Sequence, residues 1–282
     1  MTYSDLSLWH ETCGPLDLRS PLPGPADVDV AIVGGGLTGL WTAYYLALRD
    51  PSLRVAVVEK DVVGFGASGR NGGWLSALFP ASSPKLARLE GSSREAALRL
   101  GQAMRASIHE VEEVVESESI RCDFHLGGNI VFARSSIQLA RARAQIAEAH
   151  DWGQTEDDLR LLDAVETQQH ARAPGALGAT YTPHCARVHP GRLVRGLADA
   201  VERRGVTIYE QTAATLVEPG RVTTQHGTVR ASYVVVATEG YSSGVRGAPN
   251  PVIPVYSLIV ATEPLAVAVF DEIGLDDAPT FS

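Results

Sequence analysis

The chain has 282 residues, 45% of them hydrophobic and 20% charged, which is typical of a water-soluble globular protein with one large or two moderate domains. A net charge of −9 without a basic stripe argues against a nucleic-acid partner or an anionic membrane surface, so small molecules are the expected ligands. Three widely separated cysteines, with no recognisable leader and no long apolar run, predict a cytoplasmic protein without a disulfide framework or a metal site.

The first predicted unit is a strand, a glycine-rich turn and a helix. Residues 27–33 end in consecutive apolar side chains, as in a buried parallel strand. GGGLTGL follows, with Gly34, Gly36 and Gly39 in the spacing G-x-G-x-x-G, and helical periodicity then continues up to an Asp-Pro pair. A second strand ends at Glu59, twenty residues after Gly39. This arrangement predicts a dinucleotide site.

Each of these residues has a physical role at such a site. Gly34 permits the tight turn, Gly36 lets the backbone approach a pyrophosphate, and Gly39 allows close packing of helix on strand. The amino-terminal N–H groups of the helix attract the phosphates. Glu59 is placed to accept hydrogen bonds from ribose hydroxyls and repels a 2′-phosphate, which disfavours NADP. These features fit either NAD or FAD as the cofactor. A glycine-rich turn that binds no ligand also remains an alternative.

A second glycine-rich stretch, GFGASGRNGGW, begins five residues after the acidic end of the second strand. We predict that Ser68 caps a short helix whose first turn presents Arg70 and Asn71 to the same phosphates. Gly72 and Gly73 then let the backbone lie close to a flat ring. The alternative for Arg70 is a surface salt bridge.

Five stretches together resemble the FAD-dependent amine and amino-acid oxidases of the D-amino-acid oxidase superfamily, and most closely its gamma-glutamylputrescine oxidoreductase-like bacterial branch. ASGRNGG is more specific than the dinucleotide motif alone. The stretches are SLWHET (7–12), DVAIVGGGLTGLWTAYYL (29–46), GFGASGRNGG (64–73), RVHPGRLVRGLADAVERRGVTIYE (187–210) and YVVVATEGYSS (233–243).

The resemblance implies an α/β fold with two parts. A Rossmann-like FAD-binding domain, a parallel sheet with helices, is expected over residues 1–90 and 187–250. An inserted α+β substrate domain on a mostly antiparallel sheet is expected over residues 91–186 and 251–282. The family's closing glycine-rich segment has no counterpart in this sequence, so we expect the substrate domain to be incomplete.

The resemblance also implies the cofactor contacts. The three glycines of the first motif face the pyrophosphate, Glu59 faces the adenosine ribose, and the ASGRNGG residues line the pyrophosphate and the flavin edge. The backbone at Ala214 contacts adenine. Ala237 and Thr238 lie at the carboxyl end of a predicted buried strand, where ligands collect in open α/β sheets, although that strand is also explained as core alone. The implied cofactor residues are Gly34, Gly36, Gly39, Glu59, Ser68, Arg70, Asn71, Gly72, Gly73, Ala214, Ala237 and Thr238.

The remaining pattern predicts further elements. Ser92 and Glu95 form a capping box before a long helix, and residues 122–134 are typical of a hairpin around a Gly-Gly pair. A helix follows from Ser135 to about Ala149, and a second is expected from Pro190 to Gly205. Alternating apolar residues predict a long strand over 253–265.

The function implied is oxidation of an amine or amino acid by hydride transfer to flavin N5, giving an imine and, with oxygen or another acceptor, a reoxidised flavin; oxygen would yield hydrogen peroxide. No residue emerges as catalytic acid or base, so the catalytic residues are unknown. Two alternatives remain: a truncated flavin-binding fragment without turnover, and an NAD-dependent dehydrogenase, which leaves ASGRNGG without a role.

Overall fold

A computed structural model describes residues 3–249, 252–255, 257–274 and 279–282. The chain divides into two compact units. The first contains residues 1–72, 117–122 and 189–260, and the second contains residues 73–116, 123–188 and 261–282. The predicted domain ranges, 1–90 with 187–250 and 91–186 with 251–282, differ from these units and stay a prediction.

The first unit is built on a six-stranded sheet. Its strands are β1 (Ala26–Val33), β2 (Val55–Val58), β8 (Thr207–Tyr209), β9 (Ala214–Glu218), β10 (Arg221–Thr224) and β11 (Gly227–Val236). They follow the spatial order β8-β2-β1-β11-β10-β9, in which the first four strands are parallel and the last two pair antiparallel. A crossover order with a parallel centre is the Rossmann-like arrangement that the sequence predicts, and the predicted fold class is confirmed.

The helices of the first unit are α1 (Leu8–Thr12), α2 (Leu37–Arg49), α3 (Ala67–Arg70) and α8 (Pro190–Arg203), with 3₁₀ segments at Tyr3–Leu6 and Glu239–Gly244. Among them, α2 and α8 pack on this sheet, and α1 and α3 pack on α8. The apolar stripe of α8 is fully buried, including Leu197 and Val201, and Gly205 follows its end with φ +87°. The predicted helix is therefore confirmed, since its inward face matches the helical period.

The second unit contains a four-stranded sheet and a two-stranded one. Its strands are β3 (Trp74–Ser76), β4 (Asn129–Ala133), β5 (Arg160–Leu162), β6 (Gly178–Thr182), β7 (Cys185–Arg187) and β12 (Thr280–Phe281). The larger sheet has the order β12-β4-β6-β5, antiparallel except for the β12–β4 pair, and β3 pairs antiparallel with β7. A small core of Ile130, Leu162 and Ala179 lies on this sheet. A mostly antiparallel sheet was expected here.

The helices of the second unit are α4 (Ser83–Ala87), α5 (Arg94–Ser117), α6 (Ser136–Asp151), α7 (Ala164–His170) and α9 (Val267–Ile273), with the last residue of α5 in the first unit. The helix predicted from Ser135 is confirmed as α6, because the Ser135 hydroxyl accepts the N–H of Gln138. The capping box predicted at Ser92 is wrong by one residue. Ser93 accepts the N–H of Ala96 at 3.1 Å.

The predicted hairpin around Gly127 and Gly128 is wrong. β4 begins after the pair and its antiparallel partner is β6, about fifty residues further along the chain. A Cβ on Gly128 would lie 2.7 Å from the carbonyl oxygen of Thr182, and its φ is +76°. The glycine therefore serves a close approach to another strand rather than a local turn.

The predicted strand over 253–265 is also wrong for the residues that the structure describes there. Residues 252–255 and 257–265 have no strand assignment, and Tyr256 lies outside the described residues. Ile253, Val255, Leu258 and Val260 are 88–91% exposed. Alternating apolar residues form a strand only where a neighbouring strand is available for hydrogen bonding. No described strand of either unit pairs with this segment.

No helix in the described ranges is long and apolar enough to cross a membrane. In the same ranges, no group of three or more histidine, cysteine, aspartate or glutamate side chains is placed to hold a metal ion.

Candidate functional site

A cavity of about 730 Å³ opens in the first unit at the carboxyl ends of β1, β2 and β11. Its walls come from the turn before α2, the residues after β2, the start of β9 and the 3₁₀ segment after β11. The carboxyl edge of an open parallel sheet is where such folds bind their ligands. The predicted cofactor residues that line the cavity are Gly34, Gly36, Glu59, Ser68, Ala214, Ala237 and Thr238.

The glycines of the first motif leave room that no other residue would leave. Gly34 has φ +111°, and a Cβ there would lie 2.5 Å from the carbonyl oxygen of Ala237. A Cβ on Gly36 would lie 2.8 Å from the Ser68 hydroxyl oxygen. Gly39 does not line the cavity. A Cβ on it would meet the Gly34 carbonyl oxygen at 2.1 Å, so this glycine lets α2 pack against the turn.

The amino terminus of α2 points its N–H groups toward this cavity. Gly36, the residue before the helix, has no side chain to cap them. Ser68, which is distant in sequence, caps the helix instead: its hydroxyl oxygen accepts the Leu37 N–H at 2.9 Å. The prediction that Ser68 caps its own helix is wrong: α3 begins at Ala67, and Gly66 precedes it. The serine instead completes the terminus of the neighbouring helix.

Glu59, the residue after β2, stabilises the glycine-rich turn that precedes α2. Its carboxylate accepts the N–H of Gly35 at 2.7 Å and the N–H of Asp61 at 3.0 Å. Burial raises the pKa of the Glu59 carboxyl, and the two backbone N–H donors oppose that rise. Each carboxylate oxygen retains a further lone pair, so the group can accept another hydrogen bond from a ligand hydroxyl.

Arg70 lies behind the cavity wall. Its guanidinium donates to the Tyr241 hydroxyl at 3.4 Å and stands 5.0 Å from the centroid of the Phe65 ring. Both aromatic residues line the cavity. Within the described part of the chain no carboxylate pairs with Arg70, so the surface-salt-bridge alternative has no support from these contacts.

Three further predicted cofactor residues, Asn71, Gly72 and Gly73, lie outside the cavity lining. The Asn71 amide donates to the carbonyl oxygens of Ala67 and Ser68 and closes α3. Gly72 is exposed. Gly73 belongs to the second unit, where its carbonyl oxygen accepts the Val188 N–H at 2.8 Å. Their role at a flavin edge stays a prediction.

The motif-based prediction missed residues of the 3₁₀ segment that follows β11. Tyr241 lines the cavity with its ring against Gly66, where a Cβ would lie 3.1 Å from the ring edge. Glu239, also in the wall, has φ +45°, a left-handed conformation that a non-glycine residue seldom adopts. The only sequence signal was position, since Tyr241 follows Thr238 by three residues in the YVVVATEGYSS stretch.

The residues present fit a dinucleotide cofactor such as FAD. The cavity volume lies within the usual range for cofactor sites, about 300–1,000 Å³. Its floor is a helix amino terminus next to glycines whose missing Cβ atoms leave the backbone open to a pyrophosphate. The carboxylate at the end of β2 stands where a ribose acceptor is needed.

Comparison with known proteins gives one family and several relatives. The model of the DAO family, described as FAD dependent oxidoreductase, matches residues 29–280. Gamma-glutamylputrescine oxidoreductase of Escherichia coli K12 is 34% identical over 216 residues, which are 76% of this chain and 49% of that protein. The probable oxidoreductase OrdL of Haemophilus influenzae is 30% identical over 90% of this chain and 59% of its own length. The sequence-based resemblance is confirmed.

Among solved structures, glycine oxidase from Geobacillus kaustophilus is similar, with a TM-score of 0.62 and 28% identity over 75% of this chain and 55% of that one. The present chain thus spans about half the length of the relatives that it matches.

Proposed function

We propose, from the premise that this chain belongs to the DAO family of FAD-dependent oxidoreductases, that its first unit binds FAD in the glycine-lined cavity and that the protein oxidises a small amine or amino acid. The chemistry that the flavin supplies when bound is acceptance of a hydride from the carbon beside a neutral amine, leaving an imine. The chain's part is to hold the cofactor and to orient the substrate carbon in a site that excludes water.

The observation that carries this proposal is the cavity itself. Two motifs far apart in the sequence, the G-x-G-x-x-G turn and the end of β11, meet there around the amino terminus of α2. FAD is the cofactor of the family, which removes the NAD-dependent alternative. In this proposal the substrate-binding residues come from the predicted substrate domain, residues 91–186 and 251–282.

The relatives support an amine or amino-acid substrate. Their names include gamma-glutamylputrescine oxidoreductase, glycine oxidase and sarcosine oxidase subunit beta. Oxygen is the proposed electron acceptor. A net charge of −9 supports small-molecule partners rather than nucleic acid or an anionic membrane, and the widely separated cysteines support a cytoplasmic location.

One observation favours a second candidate function. Because the chain covers 49% of one relative and 59% of another, a flavin-binding unit without turnover of its own is the alternative.

Anaerobic mixing with amines distinguishes an amine oxidase from a flavin-binding unit without turnover. The FAD-loaded protein is mixed with glycine, sarcosine, putrescine and gamma-glutamylputrescine while the visible flavin absorption is followed. We expect one of these amines to bleach the flavin and, once air is admitted, to yield hydrogen peroxide in a peroxidase-coupled assay. Bound flavin that no amine reduces would contradict the oxidase proposal and support the alternative.

Replacing Glu59 tests the cofactor assignment at one residue. Glu59→Ala removes the predicted ribose acceptor and frees the N–H groups of Gly35 and Asp61, so we expect FAD affinity to fall about 10- to 100-fold, equivalent to about 1.5–3 kcal/mol for hydrogen bonds to a charged group. The measurement is a fluorescence titration with FAD.

Glu218→Ala is the matched control. Glu218 is partly buried on β9, pairs with Arg221 and does not line the cavity. Equal FAD affinities for the two variants would remove Glu59 from the site.

A further inference from the structure

Another cavity lies wholly within the second unit, and we call it the second-unit cavity. Its volume of about 270 Å³ is just below the usual range for ligand sites, about 300–1,000 Å³, so it suits a small molecule. The glycine-lined cavity is formed by first-unit residues alone, and the two cavities share no residue. The proposed function therefore gives the second-unit cavity no ligand.

Two helix faces form most of the walls of this cavity. The lining positions on α5 follow the spacing of one helix face, and those near the end of α6 follow the same spacing. They are 97, 100, 101, 104 and 105 on α5, and 145, 148, 149 and 152 on and just after α6. The loop after β3 adds Leu78 and Phe79, two apolar side chains that are 53% and 47% exposed. A ligand with an apolar body would remove this surface from water.

Trp152, in the wall at the end of α6, is held by an arginine that does not line the cavity. The Arg94 guanidinium lies 4.3 Å from the centroid of the indole ring and donates a hydrogen bond to the Asp151 carbonyl oxygen. Since Arg94 belongs to the first turn of α5, the contact connects the two helices that form the walls.

The polar end of the cavity is built around Asp158. Its Oδ2 accepts the Thr155 N–H at 3.0 Å, and its Oδ1 lies 3.0 Å from His184 Nε2 and 3.1 Å from Arg105 Nε. Burial acts to raise the pKa of the Asp158 carboxyl, but these three partners outweigh it and lower the pKa below its ordinary value. Asp158, His184 and Arg105 all line the cavity, with 20–23% of each side chain exposed.

This polar end leaves more donors than acceptors for a ligand. The ionised Asp158 only accepts hydrogen bonds, and its two oxygens already have three partners. Arg105 directs Nε to Asp158, whereas its Nη1 and Nη2 have no hydrogen-bond or ion-pair partner among the residues that the structure describes. Nη1 lies against Gly101 in the same wall, 3.7 Å from where a Cβ would stand. Glu148, the other acidic residue of the lining, is exposed, so water and salt screen its charge.

We propose that the second-unit cavity binds a small carboxylate with an apolar body. The two carboxylate oxygens accept hydrogen bonds from the Arg105 guanidinium, whose planar fork matches them, and Asp158 orients that guanidinium through Nε. The apolar body lies between the α5 and α6 faces. The inference goes beyond the proposed function, because the binding takes place within the second unit and needs no flavin.

Isocaproate is the probe, and isocaproamide is the uncharged comparison with the same apolar body. Binding to the full chain is followed by the NMR signal of the Met104 methyl group, which lines the cavity and belongs to one of only two methionines in the sequence. We expect isocaproate to shift this signal saturably, with a dissociation constant of about 1 mM or below, as the binding energy of so small a ligand allows. The amide should bind at least about tenfold more weakly, because it loses the charge-assisted hydrogen bonds.

Arg105→Gln and Arg99→Gln form a matched pair of variants. Both replace an arginine of α5, but Arg99 is 64% exposed, pairs with Glu95 and does not line the cavity. We expect isocaproate affinity to fall about 10- to 100-fold in Arg105→Gln and to stay unchanged in Arg99→Gln. Gly101→Leu places a side chain in the open space of the cavity and has the higher helix propensity, so it should abolish binding without loss of the fold.

A Met104 signal that isocaproate does not shift would overturn the proposal. So would isocaproate affinity in Arg105→Gln equal to that in Arg99→Gln, or an amide that binds as tightly as the acid, a result that would indicate an uncharged apolar occupant such as a polypeptide segment. If Arg105→Gln does not fold, the acid and amide titrations of wild type and Gly101→Leu decide the question. Each titration is made with and without FAD, so a chain that binds no FAD overturns the proposed function and leaves this test intact.

Discussion

Gly39→Ala is expected to lower the free energy of unfolding by about 3 kcal/mol and to abolish FAD binding. Gly39 lies in the first turn of α2, and the added methyl group would stand 2.1 Å from the carbonyl oxygen of Gly34. That oxygen is backbone, so a rotamer change cannot relieve the contact. Either α2 moves away from β1 or the turn moves into the space assigned to the pyrophosphate. Urea unfolding followed by circular dichroism and an FAD titration measure the two effects.

Gly101→Ala is the control. It makes the same chemical change, but we expect it to raise the free energy of unfolding rather than lower it. Gly101 lies inside α5, where an added Cβ would meet only the end of the Arg105 side chain at 3.7 Å. Alanine has the higher helix propensity, so this variant should gain about 1 kcal/mol. If Gly39→Ala also gained stability, the close packing of α2 on the dinucleotide turn would be refuted.

Glu210→Ala has the second large expected effect, a loss of about 3–5 kcal/mol in the free energy of unfolding. Glu210 is fully buried, and its carboxylate accepts the backbone N–H groups of Arg19 at 2.8 Å and Val63 at 2.9 Å. The Arg19 and Arg195 guanidiniums lie 3.5 and 3.4 Å from it. Truncation removes the acceptor of two backbone N–H donors and the negative charge that faces two guanidinium groups. No water is available in the buried interior to replace that acceptor.

Glu210→Gln and Glu95→Ala are the comparison variants for this prediction, and urea unfolding is the measurement. The glutamine fits the space but turns an N–H₂ group toward a backbone donor, so it should recover only part of the loss. Glu95 is exposed and pairs with Arg99 one helical turn away, and its truncation should cost less than about 0.5 kcal/mol. A Glu210→Ala protein as stable as Glu95→Ala would contradict the buried cluster.

The first βαβ unit was predictable because its signals are local. Three glycines at fixed spacing, apolar strands on both sides and the helical period of α2 each restrict the backbone within a few residues. The structure places Gly34, Gly36 and Glu59 together in one cavity wall as a direct consequence of that geometry.

The elements that sequence reasoning missed depend on distant partners. Gly128 was interpreted as a turn residue, whereas it is glycine because the Thr182 carbonyl lies against it. The alternating residues from 253 onward have a strand pattern without a described strand to pair with. Pairing between segments far apart in the chain leaves no mark in either segment alone.

The same limit applies within the site. The hydroxyl of Ser68, which was expected to cap α3, caps α2 instead, a contact across thirty-one residues. The role of Tyr241 follows only from its three-dimensional contact with Gly66.

The most direct test of the account is an equilibrium titration of the purified protein with FAD, set beside NAD and the variant Gly34→Ala. A methyl group at Gly34 would lie 2.5 Å from the Ala237 carbonyl oxygen at a backbone angle that alanine seldom adopts, so binding should fail there. The account predicts saturable binding of one FAD per chain by wild type, weak or absent binding of NAD, and loss of FAD binding in Gly34→Ala. A folded wild type that takes up no FAD, or a Gly34→Ala protein that binds it as tightly as wild type, would contradict the claim that this glycine-lined cavity is the cofactor site.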